Sequence, residues 1–301
     1  MRHSLNGLLL AISDDMGFHV QNIQNQQKNH FLTPLESGYY IPRTLSSTDR
    51  LLISSVAEDD SNPIHHGWVS LKDQTFHELP IQVDSSGYGC DTGTAWSPEA
   101  SKVAITGLGY GEPCNTNPGL TVADLSLGTA QTIVSPVIDT GEGDESKVIA
   151  GAYTPTWSPD GTWIAFGLDQ DAIDEFTFPT RLYQVHPDGT NLTPLTGNVQ
   201  GNATHPVWAQ DDSLYYGLSG EGEDQDGLYH YLPAENTHLL LVSGSGIHPL
   251  SISPDGEFLL YEQDQVLKIW QIRLGETIAE IEGEEDIHPI FVGWLITENE
   301  R

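Results

Sequence analysis

The chain has 301 residues, of which 43 are acidic and 11 are Lys or Arg, so its formal net charge is −32 at pH 7. Binding nucleic-acid phosphates takes Lys and Arg in numbers that this chain lacks, so nucleic acid is excluded as a partner. No apolar run approaches the ~18 residues of a membrane-spanning helix, so membrane insertion is excluded as well. The acidic excess favours cations and partner proteins with a basic surface. Salt-adapted proteins show the same bias, which leaves general solvation as the alternative.

A polar turn followed by an apolar strand recurs six times along the chain. In chain order the copies are "HSLNGLLLAISDD", "LSSTDRLLISSVA", "AWSPEASKVAITG", "TWSPDGTWIAFGL", "VWAQDDSLYYGLS" and "SISPDGEFLLYEQ", starting near residues 4, 47, 97, 158, 209 and 253. In the clearest copies Pro presets the backbone dihedral of a tight turn, and Asp and Gly take its remaining positions. Two further strands follow each copy, as in "RLYQVHP" and "NLTPLTG" in the fourth unit. Four short strands per unit at this spacing predict the blades of a propeller.

The fourth unit also carries a family resemblance. The segment Trp157–Gly161, "WSPDG", with the later "LYQVHPDGTNLTPLTGN", resembles the WD40-like repeat of TolB-like propellers. The likeness is good in units three, five and six, weak in units one and two, and extends over nearly the whole chain. It implies an all-β, six-bladed propeller of four-stranded antiparallel blades, forming one domain over residues 1–301.

The two ends of the chain are expected to complete one blade. The first unit lacks its innermost strand, whereas "DIHPIFVGWLITE" at the C-terminus resembles such a strand without the rest of a blade. We therefore predict that residues 287–294 pair with the strand that begins near Leu8, which closes the ring. The segment "LLLAIS" is then a strand and not a signal peptide, since its apolar core is short and no cleavage site follows.

About half of the acidic residues fall in loops that a propeller places on one face. These loops join strands two and three of a blade, or one blade to the next, and their acids are Asp14, Asp15, Glu58, Asp59, Asp60, Glu142, Asp144, Glu145, Asp169, Asp171, Asp174, Glu175, Glu221, Glu223, Asp224, Asp226, Glu262, Asp264, Glu282, Glu284, Glu285 and Asp286. Within "DQDAIDE", the side chains of Asp169, Asp171, Asp174 and Glu175 supply the oxygen ligands that calcium prefers. The segment lacks an EF-hand frame, and a solvated acidic loop is the alternative.

Two other residue sets are candidates for sites. Cys90 and Cys114 fall in neighbouring loops of unit three, so a disulfide is sterically possible and would indicate an oxidising compartment. The alternative is two free thiols. His205, His248 and His288 each precede Pro where a loop enters an innermost strand, and three imidazoles at the channel rim would suit a transition metal. The simpler interpretation is that His-Pro is only a common lead-in to this repeat.

No nucleophile elbow and no phosphate-binding glycine loop occur in the sequence. The resemblance therefore favours a non-enzymatic, monomeric propeller that binds a protein or ligand through an acidic loop face, requires no cofactor and lies in the periplasm or outside the cell. The cytoplasm is left open. The alternative is a metal-assisted lyase or hydrolase with its site at the channel mouth, and a third hypothesis is a sensor or gating propeller separated from a larger polypeptide. Function rests here on analogy between folds.

Overall fold

Every regular element in the described part of the protein is a β-strand. The computed structural model describes residues 8–14, 17–22, 28–32, 39–45, 50–56, 65–70, 75–80, 93–106, 119–135, 137–139, 147–149, 152–169, 180–197, 199–220, 225–281 and 290–296. These residues include no helix that is long and apolar enough to cross a membrane. The chain forms two compact units, each of which holds several of the sequence repeats. The first unit is residues 1–79 with 250–301, and the second is residues 80–249.

In the first unit, the described strands form three four-stranded antiparallel sheets. In spatial order, one holds β26 (Ile290–Ile296), β1 (Leu8–Asp14), β2 (Gly17–Asn22) and β3 (Lys28–Leu32). The next holds β4 (Tyr39–Leu45), β5 (Arg50–Val56), β6 (His65–Ser70) and β7 (Phe76–Glu78). The third holds β22 (Ile247–Ile252), β23 (Phe258–Gln263), β24 (Val266–Gln271) and β25 (Glu276–Ile281), and the unit boundary falls within β22.

The second unit contains three more sheets of the same kind. They hold β8 (Thr94–Trp96), β9 (Lys102–Thr106), β10 (Leu120–Asp124) and β11 (Thr129–Val134); β14 (Ala152–Trp157), β15 (Ile164–Asp169), β16 (Thr180–Val185) and β17 (Thr193–Pro194); and β18 (Asn202–Trp208), β19 (Leu214–Ser219), β20 (Gly227–Leu232) and β21 (Thr237–Ser243). A short hairpin, β12 (Val137–Asp139) with β13 (Lys147–Ile149), was not predicted. The repeated four-stranded antiparallel sheets confirm the predicted fold class, and the single domain over residues 1–301 stays a prediction.

The first sheet confirms the predicted pairing of the two chain ends. β26 runs antiparallel to β1, with Leu8 opposite Ile296 and Ser13 opposite Ile290. The side chain of Trp294 is buried in a cluster with Phe258, Leu260 and neighbours from β24 and β25. The last strand of the chain therefore serves as the first strand of the first blade.

The serine of the recurring motif closes the turn between the first two strands of a blade. Ser158 is 1% exposed, and its hydroxyl accepts a hydrogen bond from the Trp163 amide at 2.9 Å and donates one to Asp160 at 2.7 Å. Ser253 makes the same pair of bonds, with the Phe258 amide at 3.0 Å and Asp255 at 2.5 Å. Ser, Asp and the turn thus satisfy one another locally, which explains why the motif recurs in sequence.

Neighbouring sheets of the second unit pack face to face through apolar side chains. One cluster joins Leu120 and Val122 of β10 to Trp157, Ile164 and Phe166 of the next sheet. Another joins that sheet to the sheet of β18–β21, in which Tyr216 is fully buried. Trp96 and Trp157 are buried, whereas Trp208 is half-buried.

The two ends of a blade are named by their connections. The loop end is where the second strand connects to the third, and the turn end is the opposite end.

Candidate functional site

The first strands of two neighbouring blades share an unusual step before proline. Thr154 precedes Pro155 in β14 with a φ of 43°, and His205 precedes Pro206 in β18 with a φ of 52°. The ladder of each strand shifts register at this step, as a bulge requires. A residue before proline is normally extended, so the left-handed conformation is strained by about 1–3 kcal/mol. Such strain persists only where the surrounding structure enforces it, and bulges of this kind often reorient a side chain next to a functional site.

The bulge brings two of the three predicted histidines together. The ring centroids of His205 and His248 lie 4.5 Å apart, with an angle of 49° between the ring planes. The Nδ1 atom of His248 and the Oγ1 atom of Thr154 are both buried and make no hydrogen bond within the described residues. A buried polar atom without a partner is destabilising by about 1–3 kcal/mol, so both atoms are suited to a water molecule or a polar group of a ligand.

Two of the three histidines predicted at the channel rim lie in the described residues. His205 lies inside β18 and not at its entrance, because the bulge lets the strand continue through Pro206. His288 lies outside the described residues. Among the residues that are described, no group of three or more metal-ligating side chains converges. A transition metal at His205, His248 and His288 therefore stays a prediction, and Thr154, which occupies the same pre-proline step, was missed.

The predicted calcium and disulfide sites fall largely outside the described residues. Asp169 is the last residue of β15, so the acidic segment begins where that strand ends. Asp171, Asp174 and Glu175 follow it in the undescribed segment, and Cys90 and Cys114 are likewise undescribed. Calcium binding and the disulfide both stay predictions.

Two of the acids assigned to the loop face lie in the described residues with different exposure. Asp226 is only 8% exposed, so it does not contribute to an open acidic surface. Asp264 and Gln265 form the two-residue connection between β23 and β24, with φ values of 53° and 67°. Positive φ at both positions is the mark of a type I′ hairpin turn, in which Asp is favoured. The buried Asp226 is therefore removed from the set that a partner or cation would contact, whereas the exposed Asp264 stays in it.

The acids at the turn end are engaged by their own turns. Each accepts a hydrogen bond from a nearby hydroxyl: Asp124 from Ser126 at 2.6 Å, Asp160 from Ser158 at 2.7 Å, Asp188 from Thr190 at 2.6 Å and Asp211 from Ser213 at 2.6 Å. These hydroxyls are the largest cause of the lowered pKa of each carboxyl group. A cleft of about 510 Å³ at this end is lined by Asp124 and Asp188, with Lys102 paired to Asp124 at 3.8 Å. The turn-end carboxylates therefore stabilise turns.

Comparison with solved structures identifies the fold. A chain from a crystal structure of a nidogen/laminin complex aligns with a TM-score of 0.64 at 13% identity, covering 96% of this chain and 97% of that one. The putative TolB from Agrobacterium tumefaciens aligns with a TM-score of 0.58 at 14% identity, covering 95% of this chain and 97% of that one. The fold is that of a TolB-like β-propeller.

A third similar structure comes from a study of two prolyl endopeptidases. It aligns with the propeller with a TM-score of 0.50 at 13% identity, covering 93% of this chain but only 42% of the endopeptidase chain. No protein-family model and no curated protein matches the propeller sequence. At such low identities the similarity establishes the fold alone.

The blade of β18–β21 also contains two half-buried histidines, one on each face, that the sequence pattern did not single out. The Tyr216 hydroxyl lies 3.0 Å from Nδ1 of His238, and the His238 ring stacks on Tyr231 with centroids 4.5 Å apart. On the other face of the blade, Nε2 of His230 lies 2.7 Å from the Ser213 hydroxyl. Burial lowers the pKa of both histidines, and for His230 the charge of Asp211 partly offsets that effect.

We predict that the stability of the propeller falls as the pH decreases through about 6.5, the ordinary pKa of histidine. Because the pKa of His238 is lower in the folded protein, the unfolded chain binds more protons just below that pH, which favours unfolding. Melting temperatures between pH 8 and pH 5 test this. Relative to wild type, His238→Phe should flatten the slope, because it removes this titrating group. Parallel slopes in wild type and His238→Phe would contradict the prediction.

Proposed function

We propose that this TolB-like propeller is a non-enzymatic binding module, acting outside the cytoplasm, which engages a basic partner protein through the loop end of its blades. The observation that carries the proposal is the contrast between the two ends. At the turn end Asp124, Asp160, Asp188 and Asp211 are held by their own turns. Among the acids that follow β15 and β19 in the sequence, Asp171, Asp174 and Glu223 have no Ser or Thr two residues later and so lack this motif. Acids outside the turn motif are the ones we expect to contact a partner.

Charge and the similar structures support the same proposal. A net charge of −32 steers positively charged partners toward the propeller and repels anionic ones. The nidogen/laminin structure is a complex of proteins, which makes partner binding a reasonable role for a similar fold. The alternative, a metal-assisted lyase or hydrolase, finds support in the contact of His205 with His248, but it depends on His288 as a further ligand.

Differential capture of partners tests the proposal. Immobilised wild type is compared with a loop-end variant, Asp171→Asn, Asp174→Asn and Glu223→Gln, and with a turn-end variant, Glu99→Gln, Glu235→Gln and Glu276→Gln. Both variants lose three negative charges, so a purely non-specific attraction of basic proteins would weaken equally in the two variants. We expect a basic protein from the native extract to be retained by wild type and the turn-end variant and lost by the loop-end variant. Equal retention by the two variants would contradict a loop-end site.

We also propose that the segment "DQDAIDE" binds calcium. Millimolar calcium is then expected to raise the melting temperature more than sodium chloride of the same ionic strength, because binding to the native state alone stabilises it. Sodium chloride only screens the repulsion among the acids, over ~8–10 Å. Replacing both Asp171 and Asp174 with Asn should abolish the difference between the salts. Equal shifts for wild type in the two salts would show that the segment is a solvated acidic loop.

A further inference from the structure

The outermost strand of one blade, β21, has an edge that lacks the usual protection against pairing with other chains. Among the described strands it is the last of its sheet and pairs only with β20. Such an edge presents unpaired backbone N–H and C=O groups that can hydrogen-bond an added strand. Natural proteins avoid this with short edge strands, charged side chains or proline.

The other blades provide an internal comparison, because each has an outermost strand in the same position. β17 has two residues and ends in Pro194, and β7 has three residues and contains Glu78. β25 carries Glu276 and Glu280, β3 begins with Lys28, and the exposed residues of β11 are Thr, Ala and Gln. β21 has seven residues with the sequence "THLLLVS", which includes no acidic residue, lysine, arginine or proline.

Two large apolar side chains are exposed on this edge. Leu239 is 43% exposed and Leu240 is 41% exposed. Successive side chains of a strand point to opposite faces, so each face of the blade carries one exposed leucine at its margin. The ladder with β20 is regular from Thr237 to Leu240 and shifts register near Leu241. An added strand would therefore pair over the segment Thr237–Leu240, with an apolar side chain beside each leucine.

We propose that the β21 edge, Thr237–Leu240, binds an extended, basic segment of a partner protein by strand addition. A second copy of this chain is disfavoured as the occupant, because each copy carries a net charge of −32 and the two would repel. Glu235, exposed in the turn just before β21, adds a local attraction for a flanking Lys or Arg. Backbone pairing supplies the affinity, and the two leucines, one on each face, select apolar residues at two consecutive positions of the added strand.

Two labelled decapeptides of equal charge test the proposal. In one, pairs of Val alternate with pairs of Lys, and in the other pairs of Ser replace the pairs of Val, so that each face of the added strand carries the residue tested. Binding is followed by fluorescence anisotropy at about 150 mM salt, where the screening length is ~8 Å. We expect the Val/Lys peptide to bind about tenfold more tightly than the Ser/Lys peptide. The variant Leu239→Ser with Leu240→Ser should lose that preference. The matched control, Leu127→Ser with Leu274→Ser, removes two leucines that are 73% and 59% exposed and should keep it.

Hydrogen exchange locates the peptide on the protein. Protection of the amides in Thr237–Leu240 by the Val/Lys peptide, with β11 unchanged, supports strand addition at this edge. Equal binding of the two peptides, or equal loss in both leucine variants, overturns the proposal. Dimerisation of wild type that Leu239→Ser with Leu240→Ser abolishes also overturns it, in favour of a second copy. The proposal does not rest on the loop-end acids, so the loop-end variant Asp171→Asn, Asp174→Asn and Glu223→Gln should retain the Val/Lys preference.

Discussion

Replacing Trp157 with Ala is expected to lower the free energy of unfolding by about 3–5 kcal/mol. The side chain is 7% exposed and packs in the cluster that joins two neighbouring blades of the second unit. Its Nε1–H donates a hydrogen bond to the carbonyl oxygen of Ala95, in the preceding blade, at 3.0 Å. Truncation therefore leaves a cavity and also removes the hydrogen bond of that carbonyl.

Urea titration of wild type, Trp157→Phe and Trp157→Ala separates the effect of the cavity from that of the lost hydrogen bond. Trp157→Phe keeps most of the ring volume but loses the hydrogen bond, so its loss should be close to the ~1–3 kcal/mol of an unsatisfied buried polar group. Trp157→Ala should lose clearly more. If the two variants were equally stable, the packing of Trp157 between blades would contribute little, and the prediction would be wrong.

Deleting residues 287–301 is expected to destabilise the first unit by more than the loss of one buried tryptophan, which is about 3–5 kcal/mol. The deletion removes β26, which pairs with β1 along its length, and with it the buried side chain of Trp294. It also exposes the edge of β1, whose apolar sequence "LLLAISD" would then be open to other chains. We expect a lower melting temperature together with concentration-dependent association.

A shorter deletion is the matched control. Removing residues 297–301 alone leaves β26 whole, so melting temperature and sedimentation should stay close to those of the full chain. Trp294→Ala, with β26 retained, should lower stability without inducing association. A 287–301 deletion that melts like the full chain and remains monomeric would show that the pairing of β26 with β1 is not needed for stability.

The architecture was predictable because its signals are local. The bonds of Ser158 with Asp160 and Trp163 lie within six residues, so the same letters specify the same turn wherever they recur. The place of β26 was also predictable, since the first blade lacked one strand and the C-terminal segment had no other partner. The hairpin of β12 and β13 was missed because it belongs to no repeat.

The candidate sites depended on contacts between distant parts of the chain. The sequence indicated that His205 and His248 follow the same pattern, but only the packing of neighbouring strands places their rings 4.5 Å apart. Thr154 was missed because Thr-Pro is an ordinary dipeptide. Only the structure shows that its hydroxyl is buried at the bulge.

The exposure of some side chains was the opposite of what their residue type indicates. Asp226 is an acid in an acidic loop segment, yet the fold buries it, whereas Leu239 and Leu240 have apolar side chains that the fold leaves exposed. The turns, the strands and the repeat could be predicted from the sequence, because these depend on neighbours along the chain. Which side chains meet and which strand edge is exposed depends on how the sheets pack, so these features could be found only in the folded protein.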